Sequence, residues 1–264
     1  MFSVLSNKDF SFLQKMRWLR LLIRTGFDRR FDKLVSLIFE LIPNDRPIVI
    51  DVGANVGNFT RSCVKQKKKT SLIIAVEPSH YVFSILELWS KFWASKDSKI
   101  VCKKNILSDN KGISKLHTPI KDNGSLRVGL AYVGRQKHDN VYSESVEVIK
   151  LDELLLEQGI SSVDLVKVDV EGAEENVING ASRLINEIKP YWYLELDDSR
   201  AKVMGNSSKR VFKRMIDAGY EAYFLDKNLK PVKVDTLHGE DNYLFVPKKN
   251  LTGFLKHSKF ESKD

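Results

Sequence analysis

From Phe10 to Ile42, apolar residues (Phe12, Leu13, Met16, Leu19, Leu22 and Ile23, then Leu34, Leu37, Ile38 and Leu41) recur at helical spacing with Arg and Lys between them. The pattern predicts two helices joined near Gly26 and closed by Pro43 and Pro47. After Pro47 the texture changes. The runs 48–52, 72–76, 100–102, 163–168 and 191–196 are short and apolar on successive residues, as strands covered on both faces require. Segments 59–67, 81–94 and 173–188 carry helical patterns between them, and the alternation predicts an α/β fold with a mostly parallel central sheet and helices on both faces. Two last runs, 220–225 and 243–246, are separated by a loop without a helical pattern and predict an antiparallel C-terminal edge.

Between residues 110 and 150, Gly112, Gly124, Gly129 and Gly134 punctuate polar and basic residues, with strand-like ends at 113–117 and 145–149. This predicts an inserted hairpin with a mobile tip. The expected organisation is an N-terminal helical extension (1–46), a core domain (47–248) and a basic tail (249–264) that frays.

Composition narrows the setting. The chain has 264 residues, with 43 Lys and Arg against 34 Asp and Glu, a formal charge of +9. Net charge bears on association rather than on fold. Cys63 and Cys102 both sit in apolar runs, which excludes a disulfide framework or a paired-cysteine metal site. No apolar stretch approaches the ~18 residues of a membrane span, and Lys15, Arg17, Arg20 and Arg24 interrupt the run that a secretory signal would need. A cytoplasmic protein is expected. Up to Lys33 the chain carries eight Lys or Arg and three Asp, so the N-terminal helices would also suit an anionic membrane surface, although packing against the core is the simpler role. Lys65, Lys67, Lys68 and Lys69, with Arg127, Arg135 and Lys137, form no aromatic-interleaved stripe, and a nucleic-acid partner is not expected.

The most informative segment ends a strand in Asp51 and continues through Gly53, Asn55, Gly57 and Asn58 into a helix. A dinucleotide site would need Gly-x-Gly-x-x-Gly to seat a pyrophosphate. Asn55, Asn58 and an acid before the loop suit a ligand with a cationic end instead, approached closely where the glycines lack a Cβ. The next strand ends in Glu77, near the offset of about 20 residues at which an acid accepts ribose hydroxyls. The third leads to Asn105, Ser108 and Asp109, which would either face an adenine edge or serve as ordinary turn residues. In the fourth, Asp169 and Glu171 stand at a strand-to-helix junction, and Glu174 and Glu175 are acids favoured by a helix start. Lys167, on the same strand face as Asp169 in an apolar run, requires a carboxylate to offset its burial, which an ion pair within the site supplies.

Asp-x-Gly-x-x-x-Gly is the class I methyltransferase pattern. Together with 76–78, 106–109, 151–154 and above all Lys167-Val168-Asp169-Val170-Glu171-Gly172-Ala173-Glu174, with Glu195 following Pro190, it resembles the FkbM family of S-adenosylmethionine-dependent methyltransferases. The resemblance covers about 48–196. It implies a Rossmann-like sheet, S-adenosylmethionine as cofactor and O-methylation of a hydroxyl on a sugar, glycan or related metabolite. It places Asp51, Gly53, Asn55, Gly57, Asn58, Glu77, Asn105, Ser108 and Asp109 at the cofactor and Asp169, Glu171 and Lys167 at the chemistry, with Asp169 or Glu171 as the base. A divalent metal on Asp169, Glu195 and Asp197 is a second route, and the metal-free one is preferred. His117, His138 and His238 read as surface or loop histidines, and Trp89, Trp93 and Trp192 as core. An RNA ribose methyltransferase and a non-catalytic S-adenosylmethionine-binding module are the alternatives.

Overall fold

The computed structural model describes residues 3–66, 70–134, 139–239 and 241–257; Lys67, Lys68, Lys69, Arg135, Lys137 and His138 lie outside the described residues. Helices α1 (Ser3–Ser6), α2 (Phe12–Phe27) and α3 (Asp32–Leu41) precede the core. Ser11 starts α2, its hydroxyl accepting from the Gln14 amide while the Gln14 side chain accepts from the Ser11 N–H. Strands and helices then alternate: β1 (Ile48–Val52), α4 (Asn58–Val64), β2 (Leu72–Val76), α5 (His80–Trp93) and β3 (Lys99–Lys103). The insertion supplies β4 (Ile106–Leu107), β5 (Gly112–Pro119), β6 (Tyr132–Val133) and β7 (Val141–Ile149). After it come α6 (Leu151–Glu157), β8 (Leu165–Val168), α7 (Glu174–Asn179), β9 (Tyr191–Leu196), α8 (Asp198–Val203), α9 (Ser208–Asp217), β10 (Tyr220–Leu225), β11 (Pro231–Val234), β12 (Asp241–Pro247) and α10 (Leu251–His257).

The central sheet runs β3-β2-β1-β8-β9-β12-β10-β11. Strands β3, β2, β1, β8 and β9 are parallel, while β12 is antiparallel to β9 and β10, and β11 antiparallel to β10. The antiparallel edge therefore has one strand more than the sequence suggests. Strand β11 is short, opens on Pro231 and exposes Lys233, the composition of a protected edge rather than of a core strand. Because the chain leaves β1 toward β2 and returns on its other side as β8, the strand order reverses between β1 and β8. A crevice opens there at the strands' carboxyl ends.

Side chains alternate between the two faces of the sheet. Ile50, Val52, Val166 and Val168 pack with Leu154, Val177 and Phe212 of α6, α7 and α9. Val49, Ile73 and Leu165 pack with Val35 and Ile38 of α3 and Phe59 of α4. The same alternation turns Asp51 and Lys167 toward the second face. Tyr191 ties α3 to the sheet there, its hydroxyl donating to the Leu41 carbonyl at 3.0 Å. Tyr191→Phe should lower stability by about 1–2 kcal/mol, read as an earlier urea midpoint, because the buried carbonyl loses its donor. An unchanged midpoint would show that the bond contributes nothing.

Four expectations change. The helix expected over 173–188 is broken, α7 ending at Asn179 and a π-helical turn following at Leu184–Ile188. Between them a Cβ on Gly180 would lie 2.2 Å from the Ser108 carbonyl oxygen, so the backbones approach too closely for any other residue. Of the expected tail, 258–264 lie outside the described residues, and the part before them is not frayed: α10 buries Phe254 completely, against Tyr223 at a ring-centroid distance of 4.6 Å, and burying one such ring is worth about 2–3 kcal/mol. The hairpin β5–β7 forms, from Gly112 opposite Val148 to Pro119 opposite Val141, but β4 and β6 join it in a separate four-stranded sheet. His117 is buried within that sheet rather than at the surface, its Nδ1 2.7 Å from Ser143 Oγ and its Nε2 2.9 Å from the Gly134 carbonyl. Glu144 fastens the small sheet to the core, accepting from the His80 N–H at 2.8 Å and pairing with Lys104 at 3.1 Å. No helix among the described residues is long and apolar enough to cross a membrane.

Candidate active site

At the crevice between β1 and β8 the register sets Asp51 opposite Lys167. The buried ammonium of Lys167 lies 3.5 Å from Asp51 Oδ1 and 3.3 Å from Asp169 Oδ2, and donates to the Gly53 carbonyl at 2.9 Å. Burial opposes its charge, but Asp169 and Asp51 outweigh that and lift its pKa above the ordinary ammonium value. Asp51 is fully buried, with Oδ2 accepting from the Thr60 N–H at 3.1 Å and the Thr60 hydroxyl at 2.6 Å. The acid expected to meet a cationic ligand is therefore consumed by a cation of its own chain. It holds Lys167 and the start of α4.

The glycines likewise serve the protein before any ligand. Gly53 has φ +70°, and a Cβ there would lie 1.9 Å from the Asp169 carbonyl oxygen; at Gly57, φ +94°, it would strike Leu86 and Trp93. Trp93 stacks on Trp89, so both belong to packing as the sequence suggests. Between the glycines Asn55 adopts φ +53°, which turns its N–H to Glu77 Oε2 at 2.9 Å. The Ser79 N–H donates to Glu77 Oε1 at 2.9 Å. Burial outweighs these donors and pushes the Glu77 carboxyl up to about 7.

Gly53, Asn55, Glu77 and Asn105 line one cavity of about 130 Å3, roofed by Leu116 and Val133 of the small sheet. At Gly53, Asn55 and Asp169 it meets a second, of about 220 Å3, that Lys167, Asn58, Arg24 and Asp28 also line. Asn58 Oδ1 is buried with no hydrogen-bond partner among the described residues. Ser108 and Asp109 are not part of either cavity. The Ser108 N–H donates to the Ile149 carbonyl as the chain turns into the small sheet, and Asp109 is exposed beyond it.

A third cavity, of about 500 Å3, shares Glu171 and Ala131 with the first, and Arg127, Tyr132, Asp139, Arg200 and Met204 are among the other residues that line it. Glu171 sits on the seam with φ +56°, a conformation that costs a non-glycine residue about 1–3 kcal/mol and here aims the carboxylate across the opening. Glu174 over-determines the turn, its Oε1 accepting from the Val170 and Gly172 N–H groups. Arg200 Nη1 binds Glu171 Oε2 at 2.7 Å and lies 3.4 Å from Glu195 Oε1, while its Nε meets Asp197 at 2.9 Å. Burial lifts the Glu171 pKa, with Arg200 opposing. Burial and the neighbouring Asp169 push Glu195 up to about 8, whereas Lys167 keeps Asp169 ionised, below the usual carboxylate range despite its burial.

Asp197 does not present a metal ligand to this opening. Its Oδ1 caps α8 through the Ser199 and Arg200 amides and its Oδ2 holds Arg200. No three His, Cys, Asp or Glu groups among the described residues converge as a ligand set. His238 is exposed, its backbone bonded to Tyr243, and lines none of the three cavities. Arg200, Tyr132 and Arg127 were not legible as site residues. The one available signal for Arg200 is its place three residues after the acid that caps the helix following β9.

Residues 51–222 match the family model described as the methyltransferase FkbM domain. The 2-O-methyltransferase NoeI of Sinorhizobium fredii (strain NBRC 101917 / NGR234) is 24% identical over 175 residues, which cover 63% of this chain and 70% of that protein. The methyltransferase sdnD of Sordaria araneosa is 28% identical over 159 residues, covering 51% and 60%. Among solved structures, the methyltransferase FkbM from Methylobacillus flagellatus KT has a similar fold, with a TM-score of 0.50 at 15% identity over 76% of this chain and 43% of that one. This chain thus spans less than half of that structure's chain.

Proposed function

Since the chain belongs to the FkbM methyltransferase family, we propose that it is an S-adenosylmethionine-dependent O-methyltransferase acting on a hydroxyl of a sugar or related metabolite. The observation that carries this reading is the seat of Glu171 on the seam between a cavity floored by Glu77 and a larger one that opens beyond it. The residues present fit the cofactor. Glu77 keeps lone pairs for two ribose hydroxyls, while Asn58 Oδ1, buried without a donor among the described residues, and the ionised Asp169 suit an ammonium and a sulfonium. When bound, S-adenosylmethionine supplies an electrophilic methyl group. The protein's part is to hold the acceptor oxygen in line with it and to take that oxygen's proton. Arg200 occupies Glu171 Oε2, which leaves Oε1 to receive the proton. Similarity to a 2-O-methyltransferase supports transfer to oxygen.

Two measurements test the reading. Mass spectrometry of sugar and nucleotide-sugar acceptors incubated with S-adenosylmethionine should show one added ether methyl, and failure across them would remove the acceptor class. Calorimetric titration with S-adenosylmethionine should show saturable binding that weakens as pH falls through about 7, by up to about tenfold per pH unit, because only the ionised Glu77 accepts both hydroxyls. Glu77→Gln should bind more weakly at pH 8 and lose most of this pH dependence. Binding that ignores both pH and the substitution would dismiss the ribose role.

A further inference from the structure

Helix α2 is apolar on two sides: Trp18, Leu19, Leu21 and Leu22 pack in the core, and a second apolar set faces outward. The face against the core buries Gln14, Trp18 and Thr25, with Trp18 Nε1 donating to Ser84 Oγ at 2.8 Å and Gln14 Nε2 to the Gly124 carbonyl at 2.9 Å. Trp89 of α5 donates to the Leu22 carbonyl at 2.8 Å, so the helix is fastened along its length. Its outward face carries Phe12 (75% exposed), Leu13 (60%), Met16 (40%), Ile23 (63%) and Phe27 (79%). At 3.6 residues per turn these positions fall in a single stripe of about 100°, with exposed Arg20 inside it and exposed Arg24 beside its edge. Helix α2 contains no acidic residue, exposed Arg29 follows it, and Arg20, Arg24 and Arg29 form no ion pair among the described residues.

We propose that this stripe is a docking surface for an anionic lipid bilayer, with α2 lying in the plane of the interface. Charge selects the occupant. Large apolar side chains on one face of a helix, interleaved with arginines and free of acids, enter the boundary between headgroups and acyl chains while the guanidinium groups meet lipid phosphates. A second copy of the chain is a poorer partner. Two-fold pairing of the stripe on itself would enclose Arg20 and Arg24 of both copies in an interface to which neither helix brings a carboxylate. Arg24 also lines the cavity that reaches Asn58 and Asp169, so a docked molecule would hold that opening beside the lipid surface.

Co-sedimentation with vesicles of phosphatidylcholine alone, and of equal parts phosphatidylcholine and phosphatidylglycerol, tests the proposal. The protein should bind the anionic vesicles and not the neutral ones, less tightly as salt rises. Ile23→Glu with Phe27→Glu should weaken that binding by at least about tenfold. Both positions are exposed, so the variant's urea midpoint should match the wild type. Leu13→Glu, at the other end of the stripe, is an independent variant should the pair fail to fold. A wild-type protein left in the supernatant with anionic vesicles, or variants that bind undiminished, would overturn the assignment. So would a wild-type dimer in sedimentation velocity that the variants dissociate, which would make the stripe a contact between copies.

Discussion

Glu171→Gln should reduce turnover by about 10²- to 10⁴-fold while leaving S-adenosylmethionine affinity nearly unchanged, the span expected when a positioned base is lost. Glutamine is isosteric and can still meet Arg200 through its carbonyl oxygen, so the seam between the cavities keeps its shape. What disappears is the proton acceptor at Oε1. Asp169 is the poorer candidate because Lys167, 3.3 Å away, holds it ionised and lowers its affinity for a proton. Burial works the other way on Glu171 and raises its pKa. Asp169→Asn should accordingly act first on cofactor affinity. The pH profile adds a check: activity in the wild type should fall as pH drops through the raised pKa of Glu171, since the protonated form cannot accept the proton. Should Glu171→Gln turn over at the wild-type rate and Asp169→Asn not, the two roles would be exchanged.

Much of this site was readable in the chain because its parts lie at the ends of apolar runs. A run such as 48–52 or 163–168 announces a buried parallel strand, and the residues just after it must sit at the mouth of the sheet. Gly53, Asn55, Glu77, Asp169 and Glu171 are all read in that way, and all line the linked cavities. The same logic failed where a residue's partner is remote in sequence. Nothing local to Asp51 reveals that cross-strand register sets Lys167 opposite it, so a carboxylate that looked available to ligand is spent on the core. Ser108 and Asp109 fall outside the cavities for a similar reason, because the pairing of Ile106 with Val148 carries the chain into a second sheet before they are reached. Arg200 was missed because a lone arginine on a short helix has no pattern. Only the meeting of Glu171, Glu195 and Asp197 around it gives it a role.

The cross-strand pairing carries the other large expected effect. Lys167→Met should destabilise the fold by about 3–5 kcal/mol at pH 7, the range for removing one partner of a buried ion pair. Methionine fills a similar volume, so the loss is electrostatic: Asp51 Oδ1 is left buried with neither cation nor donor. Asp51→Asn added to Lys167→Met should recover most of the loss, because the amide still accepts from Thr60 and no buried charge remains. Urea titrations of wild type, single and double variants at pH 7 measure each part. If the single variant is as stable as wild type, or the double variant is no better than the single, then Lys167 is not what makes the burial of Asp51 tolerable.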